Sequence, residues 1–137
     1  MPEHRIRLRG GWECQYREGE SEGDDAREVV RRVALPLAWT ADFPDRIRLV
    51  RHFGRPPVDP RIESVSLEMR NVAGLNVARI NGGAIAPAMI VDPSSWSVPL
   101  DGPLLPRNGL VLEVDLATAR GQPGEWGDIW LLIRPLA

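Results

Sequence analysis

Residues 33–56 read VALPLAWTADFPDRIRLVRHFGRP, and the fold prediction starts from this stretch. A short apolar run ends at Pro36, and a loop rich in aromatic and acidic residues follows it. From Arg46 to Gly54 the side chains then alternate, with Ile47, Leu49 and Phe53 on one side and Arg46, Arg48 and His52 on the other. This period of two predicts a β-strand with one face buried.

The rest of the chain repeats this pattern in short segments separated by turn residues. The further segments predicted as strands are Arg5–Arg17, Val29–Leu35, Ser64–Arg70, Leu75–Ile80, Ala84–Val91, Trp96–Leu100, Gly109–Leu116 and Asp128–Arg134. Thirteen Gly and thirteen Pro among 137 residues favour short strands and turns over helices. We therefore predict an all-β fold, a jelly-roll β-sandwich of two antiparallel sheets with about eight or nine strands, in a single domain over residues 1–137.

Four segments carry more specific expectations. Gly10-Gly11 indicates a bulge or bend inside one long strand rather than the end of a strand. Val29–Leu35 could also form a short helix capped by Asp24 or Asp25, but its β-branched residues and the following Pro36 favour a strand. Asn81-Gly82 predicts a tight turn. Asp128–Arg134 is apolar on both faces, which predicts a central strand or one covered on both sides.

Composition and charge narrow the class of protein. The formal net charge is −2, which indicates neither a nucleic-acid partner nor an anionic membrane surface. All 17 basic residues are arginine, whose planar fork pairs with carboxylates and stacks on aromatic rings. Neither an apolar leader nor a membrane-length apolar run is visible in the sequence, so the cytoplasm is the default expectation.

Cysteine, histidine and serine patterns give little support for catalysis. Cys14 is the single cysteine, and its place on the apolar side of a strand predicts a buried small hydrophobe rather than a reactive thiol. His4 and His52 lie far apart in the sequence and form no zinc-binding spacing. No nucleophile elbow, phosphate loop or dinucleotide fingerprint is present, so we predict no cofactor.

Two polar segments are predicted as loops. Glu18–Glu28 is acidic and contains glycine, and it is interpreted as a mobile loop. Its carboxylates could bind Ca²⁺, but the alternating aspartates of a calcium loop are absent, so a solvated loop is favoured. Ala117–Gly124 is the second predicted loop.

Aromatic and polar loop residues are the candidate binding site. The candidates are Trp39, Asp42, Phe43, Asp45, Glu125 and Trp126. Aromatic faces pack against sugar C–H groups and neighbouring carboxylates bind hydroxyls, so this residue set is suited to a carbohydrate. Two alternatives remain open. The rings could close the end of the sandwich as part of the core, and Asp42 and Asp45 could cap the backbone or pair with Arg46 and Arg48 rather than act as an acid–base pair.

Several phrases, taken in order, resemble a known family. They are Gly11-Trp12, Leu35-Pro36 with Trp39, Leu49-Val50-Arg51-His52-Phe53, Val65-Ser66-Leu67, Val77-Ala78-Arg79-Ile80-Asn81-Gly82, Arg107-Asn108-Gly109-Leu110 with Leu112-Glu113-Val114, and Gly127-Asp128-Ile129-Trp130-Leu131. In this order they resemble the N-terminal sugar-binding domain of glycoside hydrolase family 2, a galactose-binding-like jelly roll. The resemblance covers nearly the whole chain.

The resemblance implies a non-catalytic carbohydrate-binding module, because the catalytic carboxylates of that family lie in a separate barrel domain that this sequence lacks. In the large β-galactosidases of the family, two loops of the jelly roll reach the sugar site of the barrel. They correspond here to Trp39–Asp45 and Ala117–Trp126, and the second is short. The alternatives are a structural or protein-interaction sandwich and an isolated domain of a larger hydrolase, so the expected partner is a glycan or another protein domain. Asn81, Asn108 and Trp12 are expected to have structural roles.

Overall fold

Alternating side chains form strands nearly everywhere that the pattern predicts them. The computed structural model describes residues 3–18, 27–85, 89–92 (backbone only), 94–100 and 104–136. Within these ranges the elements are β1 His4–Arg7, β2 Trp12–Glu18, β3 Arg27–Val33, β4 Arg46–Gly54, β5 Glu63–Arg70, β6 Leu75–Ile80, β7 Gly83–Ala84, β8 Met89–Asp92, β9 Ser95–Pro99, β10 Arg107–Asp115, α1 Leu116–Ala119 and β11 Asp128–Pro135.

The strands form two antiparallel sheets. The five-stranded sheet has the order β1-β11-β5-β9-β8, and the six-stranded sheet has the order β3-β2-β4-β10-β6-β7. The prediction of an all-β sandwich is therefore confirmed. The eleven described strands exceed the predicted eight or nine because two predicted strands are each divided, Arg5–Arg17 into β1 and β2 and Ala84–Val91 into β7 and β8. The jelly-roll assignment stays a prediction.

The inward faces of both sheets supply the core. On β4 and β10 the register pairs Leu49 with Leu112 and Ile47 with Val114, and all four side chains are buried. On β5 the predicted inward residues Val65, Leu67 and Met69 are buried as well. Burial of apolar surface at roughly 25 cal/mol per Å² makes this layer the main stabilising contribution to the fold.

Strand β11 is buried on both faces, as its apolar sequence predicts. It lies between β1 and β5, with Ile129, Leu131 and Ile133 in the core. Trp130 and Leu132 alternate with these residues on the opposite face, yet they are only 4% and 3% exposed. Arginine side chains cover this outer face. The guanidinium carbons of Arg5 and Arg70 lie 5.1 Å and 5.6 Å from the centre of the Trp130 ring.

Three expectations about boundaries are wrong or incomplete. Gly10-Gly11 does not bend one strand but separates β1 from β2, which belong to different sheets, and Gly11 has a φ of 77°. The segment Ala84–Val91, predicted as one strand, contributes to β7 and β8, which also lie in different sheets, and residues 86–88 lie outside the described ranges. The predicted loop Ala117–Gly124 begins inside α1, where the Asp115 side chain accepts a hydrogen bond from the N–H of Ala117.

Two asparagines fix the turn after β6 to the start of β10, in the structural role predicted for both. Asn81 has a φ of 52° in the predicted tight turn, and its Nδ2 donates to Oδ1 of Asn108 at 2.9 Å. Its Oδ1 accepts from the N–H of Gly109 at 2.9 Å. Asn108 is 1% exposed and also bonds to backbone atoms of Leu105 and Phe53, so its buried amide is fully used.

Buried positions in β2 also match the prediction. Cys14 is fully buried, and desolvation raises the pKa of its thiol to about 11, which keeps it protonated and unreactive at neutral pH. Trp12 is fully buried and its Nε1 donates to the carbonyl of Leu8 at 2.7 Å.

The predicted loop Glu18–Glu28 falls mainly on residues 19–26, which lie outside the described ranges. No helix within the described residues is long and apolar enough to cross a membrane.

Candidate functional site

The aromatic candidates meet at one end of the sandwich. The Trp39 ring lies edge-on to Phe43 and to Trp126, with centroid distances of 5.0 Å and 5.9 Å. Tyr16 of β2 extends the cluster at 6.0 Å from Phe43. Trp39, Phe43 and Trp126 are 9%, 7% and 1% exposed, so the rings belong to the core.

A backbone bridge near Trp39 and at Trp126 positions these rings. Leu37 and Trp126 form an isolated antiparallel bridge, each donating its N–H to the other's carbonyl, at 3.0 Å and 2.8 Å. The Trp126 Nε1 donates to the carbonyl of Ala73 at 2.8 Å. The buried Trp39 Nε1, in contrast, has no hydrogen-bond partner among the described residues.

Arg31 and Asp42 lie on the solvent side of the Phe43 ring. The Arg31 guanidinium stacks over this ring at 4.2 Å and donates to Oδ2 of Asp42 at 2.9 Å. The Thr40 hydroxyl donates to the other oxygen of Asp42. The Thr40 hydroxyl first, and then Arg31, lower the pKa of Asp42 below its ordinary value, so this carboxylate stays ionised at neutral pH.

Arg120 forms a second polar contact at the same end. It donates to Oδ1 of Asp45 at 2.9 Å and to the backbone carbonyls of Phe43 and Thr40. It therefore ties the segment after α1 to the segment before β4. Glu125 is exposed, and its carbonyl accepts from Gln122 at 3.1 Å.

The three rings among the six predicted site residues therefore come together, and the three acidic residues are near them in the chain but in a different environment. The three rings are buried, as in the alternative in which they close the end of the sandwich, whereas Asp42, Asp45 and Glu125 are exposed. The two aspartates pair with Arg31 and Arg120 rather than with the predicted Arg46 and Arg48. A ligand-binding role of the six residues stays a prediction. The buried faces of Trp39 and Trp126 offer no platform for a sugar in this conformation.

Sequence reasoning did not identify the outer face of the six-stranded sheet as a site. A groove of about 460 Å³ lies there, lined by Gln15, Tyr16, Arg17, Glu28, Arg46, Ile47, Arg48, Asn76, Val77, Glu113 and Val114. The outward positions of Arg46 and Arg48 were visible in the sequence. The position of Arg48 opposite Glu113 was not visible, because strand order and register decide it.

A larger crevice of about 760 Å³ lies elsewhere on the surface. Proline and aliphatic side chains line most of it, and the lining residues are Arg55, Pro56, Pro57, Val58, Pro60, Glu63, Val65, Leu100, Leu104 and Leu136.

Among the described residues, no three histidine, cysteine, aspartate or glutamate side chains are grouped so that they could hold a metal ion.

Comparison with known proteins finds a similarity in fold. No known protein family and no curated protein matches the sequence. The chain is similar to part of a solved structure, the FMN-binding β-glucuronidase from Facaelibacterium prausnitzii L2-6, with a TM-score of 0.63 and 18% sequence identity. The similarity covers 97% of this chain and 23% of that chain, so this chain spans about a quarter of the enzyme. At this identity the similarity shows the fold.

Proposed function

We propose that this chain is a non-catalytic module of a glycosidase-type protein and that it binds carbohydrate. The observation that carries the proposal is the similarity in fold, over 97% of the chain, to a part of a β-glucuronidase. Since folds host many functions, the fold alone is an analogy, and binding has to be argued from the surface. Carbohydrate recognition needs several polar groups around a concave or flat surface, and this protein has such groups in two places.

The first place is the rim above the buried rings. Asp42 and Asp45 have side chains that are 59% and 72% exposed, next to Arg31 and Arg120. The second is the outer face of the six-stranded sheet, with its groove of about 460 Å³. Both surfaces can bind hydroxyl and acidic groups of a sugar through carboxylate and guanidinium side chains.

The absence of catalysis in the proposal rests on the chemistry of the rim. A glycosidase needs a carboxylic acid with a raised pKa to protonate the leaving group. The pKa of Asp42 is lowered instead, because Thr40 and Arg31 stabilise its ionised form. This carboxylate is therefore suited to accepting hydrogen bonds, not to donating a proton.

Titration calorimetry with a panel of galactosides and glucuronides, at ligand concentrations up to millimolar, tests the proposal. We expect saturable binding that weakens when a contacting side chain is truncated, with Asp42→Ala and Asp45→Ala reporting on the rim. Hydrolysis of chromogenic galactosides and glucuronides is measured in parallel and is expected to stay at the rate without protein. Absence of binding to every saccharide would rule out the proposed function, and hydrolysis above that background would rule out its non-catalytic part.

A protein-interaction module is the second candidate, and the apolar crevice favours it. Ile62 and Leu136 are 52% and 50% exposed, and the N–H of Leu136 donates to the carbonyl of Ile62 at 2.7 Å, so two exposed aliphatic side chains lie together. Light scattering over a range of protein concentrations tests self-association through this region. Association that disappears in Leu136→Glu would support it, and a constant mass would count against it.

A further inference from the structure

The outer face of the six-stranded sheet carries a row of three polar side chains that ends at a valine. The register places Gln15 opposite Arg48, Arg48 opposite Glu113, and Glu113 opposite Val77. Four neighbouring strands therefore contribute to one line across the sheet. With strands about 4.8 Å apart, this line is roughly 14 Å long, which is long enough for an oligosaccharide rather than one small ion.

One carboxylate in this row is shared between two arginines. The Glu113 oxygens lie 3.8 Å from Arg48 and 3.9 Å from Arg79, beyond hydrogen-bond length in both cases. The Arg48 and Arg79 side chains are 55% and 44% exposed. The Glu113 carboxylate attracts both guanidinium groups but accepts no hydrogen bond from either at these distances. Their N–H donors are therefore accessible to an acceptor that lies closer.

The charge of the groove is opposite to that of the whole protein. Arg17, Arg46 and Arg48 line it and Arg79 lies next to it, whereas the acidic residues of its lining are Glu28 and Glu113. Two further acidic residues of the same face are Glu13, opposite Val50, and Asp115, opposite Arg46. The groove together with Arg79 thus has an excess of positive charge, although the formal net charge of the chain is −2. Opposite charge attracts an anionic ligand and accelerates its association.

The floor of this surface is aliphatic rather than aromatic. Val50 and Val111 are paired directly across β4 and β10, and both are half-buried on the outward side. Tyr16 is the aromatic lining residue, and it is half-buried with its ring edge-on to Phe43. The valines can contact the C–H groups of a sugar, but they supply no stacking energy, so the guanidinium groups must provide most of the affinity.

We propose that the outer face of the six-stranded sheet binds an acidic oligosaccharide, one whose sugars carry carboxylates, through the guanidinium groups of Arg48 and Arg79. This inference rests on the proposed carbohydrate-binding function and adds the surface and the class of sugar. A carboxylate of the ligand replaces the distant Glu113 as the acceptor for the two guanidinium forks. Glu113 competes with the ligand and thereby sets its affinity.

Calorimetric titration of the full chain with tri-galacturonic acid and with neutral galactotriose tests this inference. We expect the acidic trisaccharide to bind at least about tenfold more tightly, since hydrogen bonds between a guanidinium and a carboxylate are stronger than those to a neutral hydroxyl. Its affinity should fall as the salt concentration rises, because exposed charges are screened. Equal affinity for both saccharides would overturn the inference and leave the proposed function standing. Binding of neither would also overturn the inference, and the proposed function would then depend on the panel of galactosides and glucuronides.

Two substitutions with opposite expected effects make the test specific. Arg48→Gln should weaken binding of tri-galacturonic acid about tenfold, and Glu113→Gln should strengthen it several-fold because the competing carboxylate is removed. Arg61→Gln is the matched control, since Arg61 is 86% exposed and pairs with Asp59 in the turn before β5. Equal binding by wild type and Arg48→Gln, in a variant with unchanged circular dichroism, would overturn the inference.

A non-sugar anion separates saccharide recognition from simple charge attraction. Tricarballylate carries three carboxylates, like tri-galacturonic acid, but offers no sugar rings to the valine floor. Weaker binding of tricarballylate than of the trisaccharide supports the inference. Equal binding of the two anions overturns it, because the surface would then recognise charge alone.

Discussion

The indole rings of Trp39 and Trp126 meet edge-on with their centroids 5.9 Å apart, and they differ in one respect: Trp126 Nε1 donates to Ala73, whereas Trp39 Nε1 has no partner among the described residues. The pair joins the segment before β4 to the segment before β11. The ring contact therefore closes one end of the sandwich, and the hydrogen bond makes one of its two members more important for stability.

This difference predicts unequal costs for the same substitution. Trp126→Phe removes packing and leaves the Ala73 carbonyl without its donor, whereas Trp39→Phe removes packing together with an N–H group that is already unsatisfied. We expect the loss in the free energy of unfolding to be larger for Trp126→Phe by about 1–2 kcal/mol. Urea unfolding followed by circular dichroism measures both, and equal losses would contradict the assignment of the hydrogen bond.

Much of the fold was predictable because the patterns that define it are local. The alternation in Arg46–Gly54 specifies which residues of β4 face the core, and the apolar run in Asp128–Arg134 specifies a strand buried on both faces. The turn at Asn81 was predictable because few residues other than glycine and asparagine accept a positive φ. Strand order depends on contacts between distant segments, so the change of sheet at Gly10-Gly11 was not visible in the sequence.

A second prediction concerns the buried amide of Asn108. Asn108 is buried, and Asn108→Ala removes the acceptor of Asn81 together with the side-chain partners of the N–H and the carbonyl of Leu105. We expect the free energy of unfolding to fall by about 2–4 kcal/mol. Asn76→Ala, an exposed change on β6, serves as the control, with an expected effect within about 0.5 kcal/mol. Similar midpoints of thermal unfolding for the two variants would disagree with this role.

A third prediction concerns the titration of Asp42. Its folded-state pKa is lowered, so its ionised form adds to stability above the ordinary pKa of 3.8, and this contribution is lost as the pH falls through the folded value. Thr40→Ala should raise the pKa of Asp42 towards 3.8, because the Thr40 hydroxyl is the largest cause of the shift. Carboxyl ¹³C chemical shifts measured against pH report it directly. Arg61→Gln should leave Asp42 unchanged, and an unaltered pKa in Thr40→Ala would refute the assignment.

Two glycines with similar backbones give a fourth prediction. Gly74 and Gly124 have φ values of 83° and 80°, so alanine is strained at both. A Cβ at Gly74 would lie 2.3 Å from the carbonyl oxygen of Asp115, whereas one at Gly124 would meet nothing within 4 Å. We expect Gly124→Ala to cost about 1–2 kcal/mol and Gly74→Ala to cost about 1–3 kcal/mol more. Chemical denaturation compares them, and equal costs would mean that the β10 backbone gives way freely.

The sequence predicted which residues form the candidate site, but neither their exposure nor their partners. The segments Trp39–Asp45 and Glu125-Trp126 do meet, through the contact between the rings of Trp39 and Trp126. Whether the rings are exposed depends on packing at the end of the sandwich, which the sequence does not show. The partners of the carboxylates were also not predictable. Arg31 reaches Asp42 from the edge strand β3, and the position of that edge follows from strand order.

Two buried tryptophans, Trp39 and Trp130, are covered by different kinds of group. Trp39 packs against the buried rings of Phe43 and Trp126, so its exposure needs the end of the sandwich to open, a local unfolding on microsecond or longer timescales. Trp130 is covered by Arg5 and Arg70, whose side chains can rotate within nanoseconds without any change of the backbone. Similar burial in a static structure thus corresponds to very different lifetimes of protection, and of these two indoles Trp130 is the one that a dissolved quencher of fluorescence would reach first.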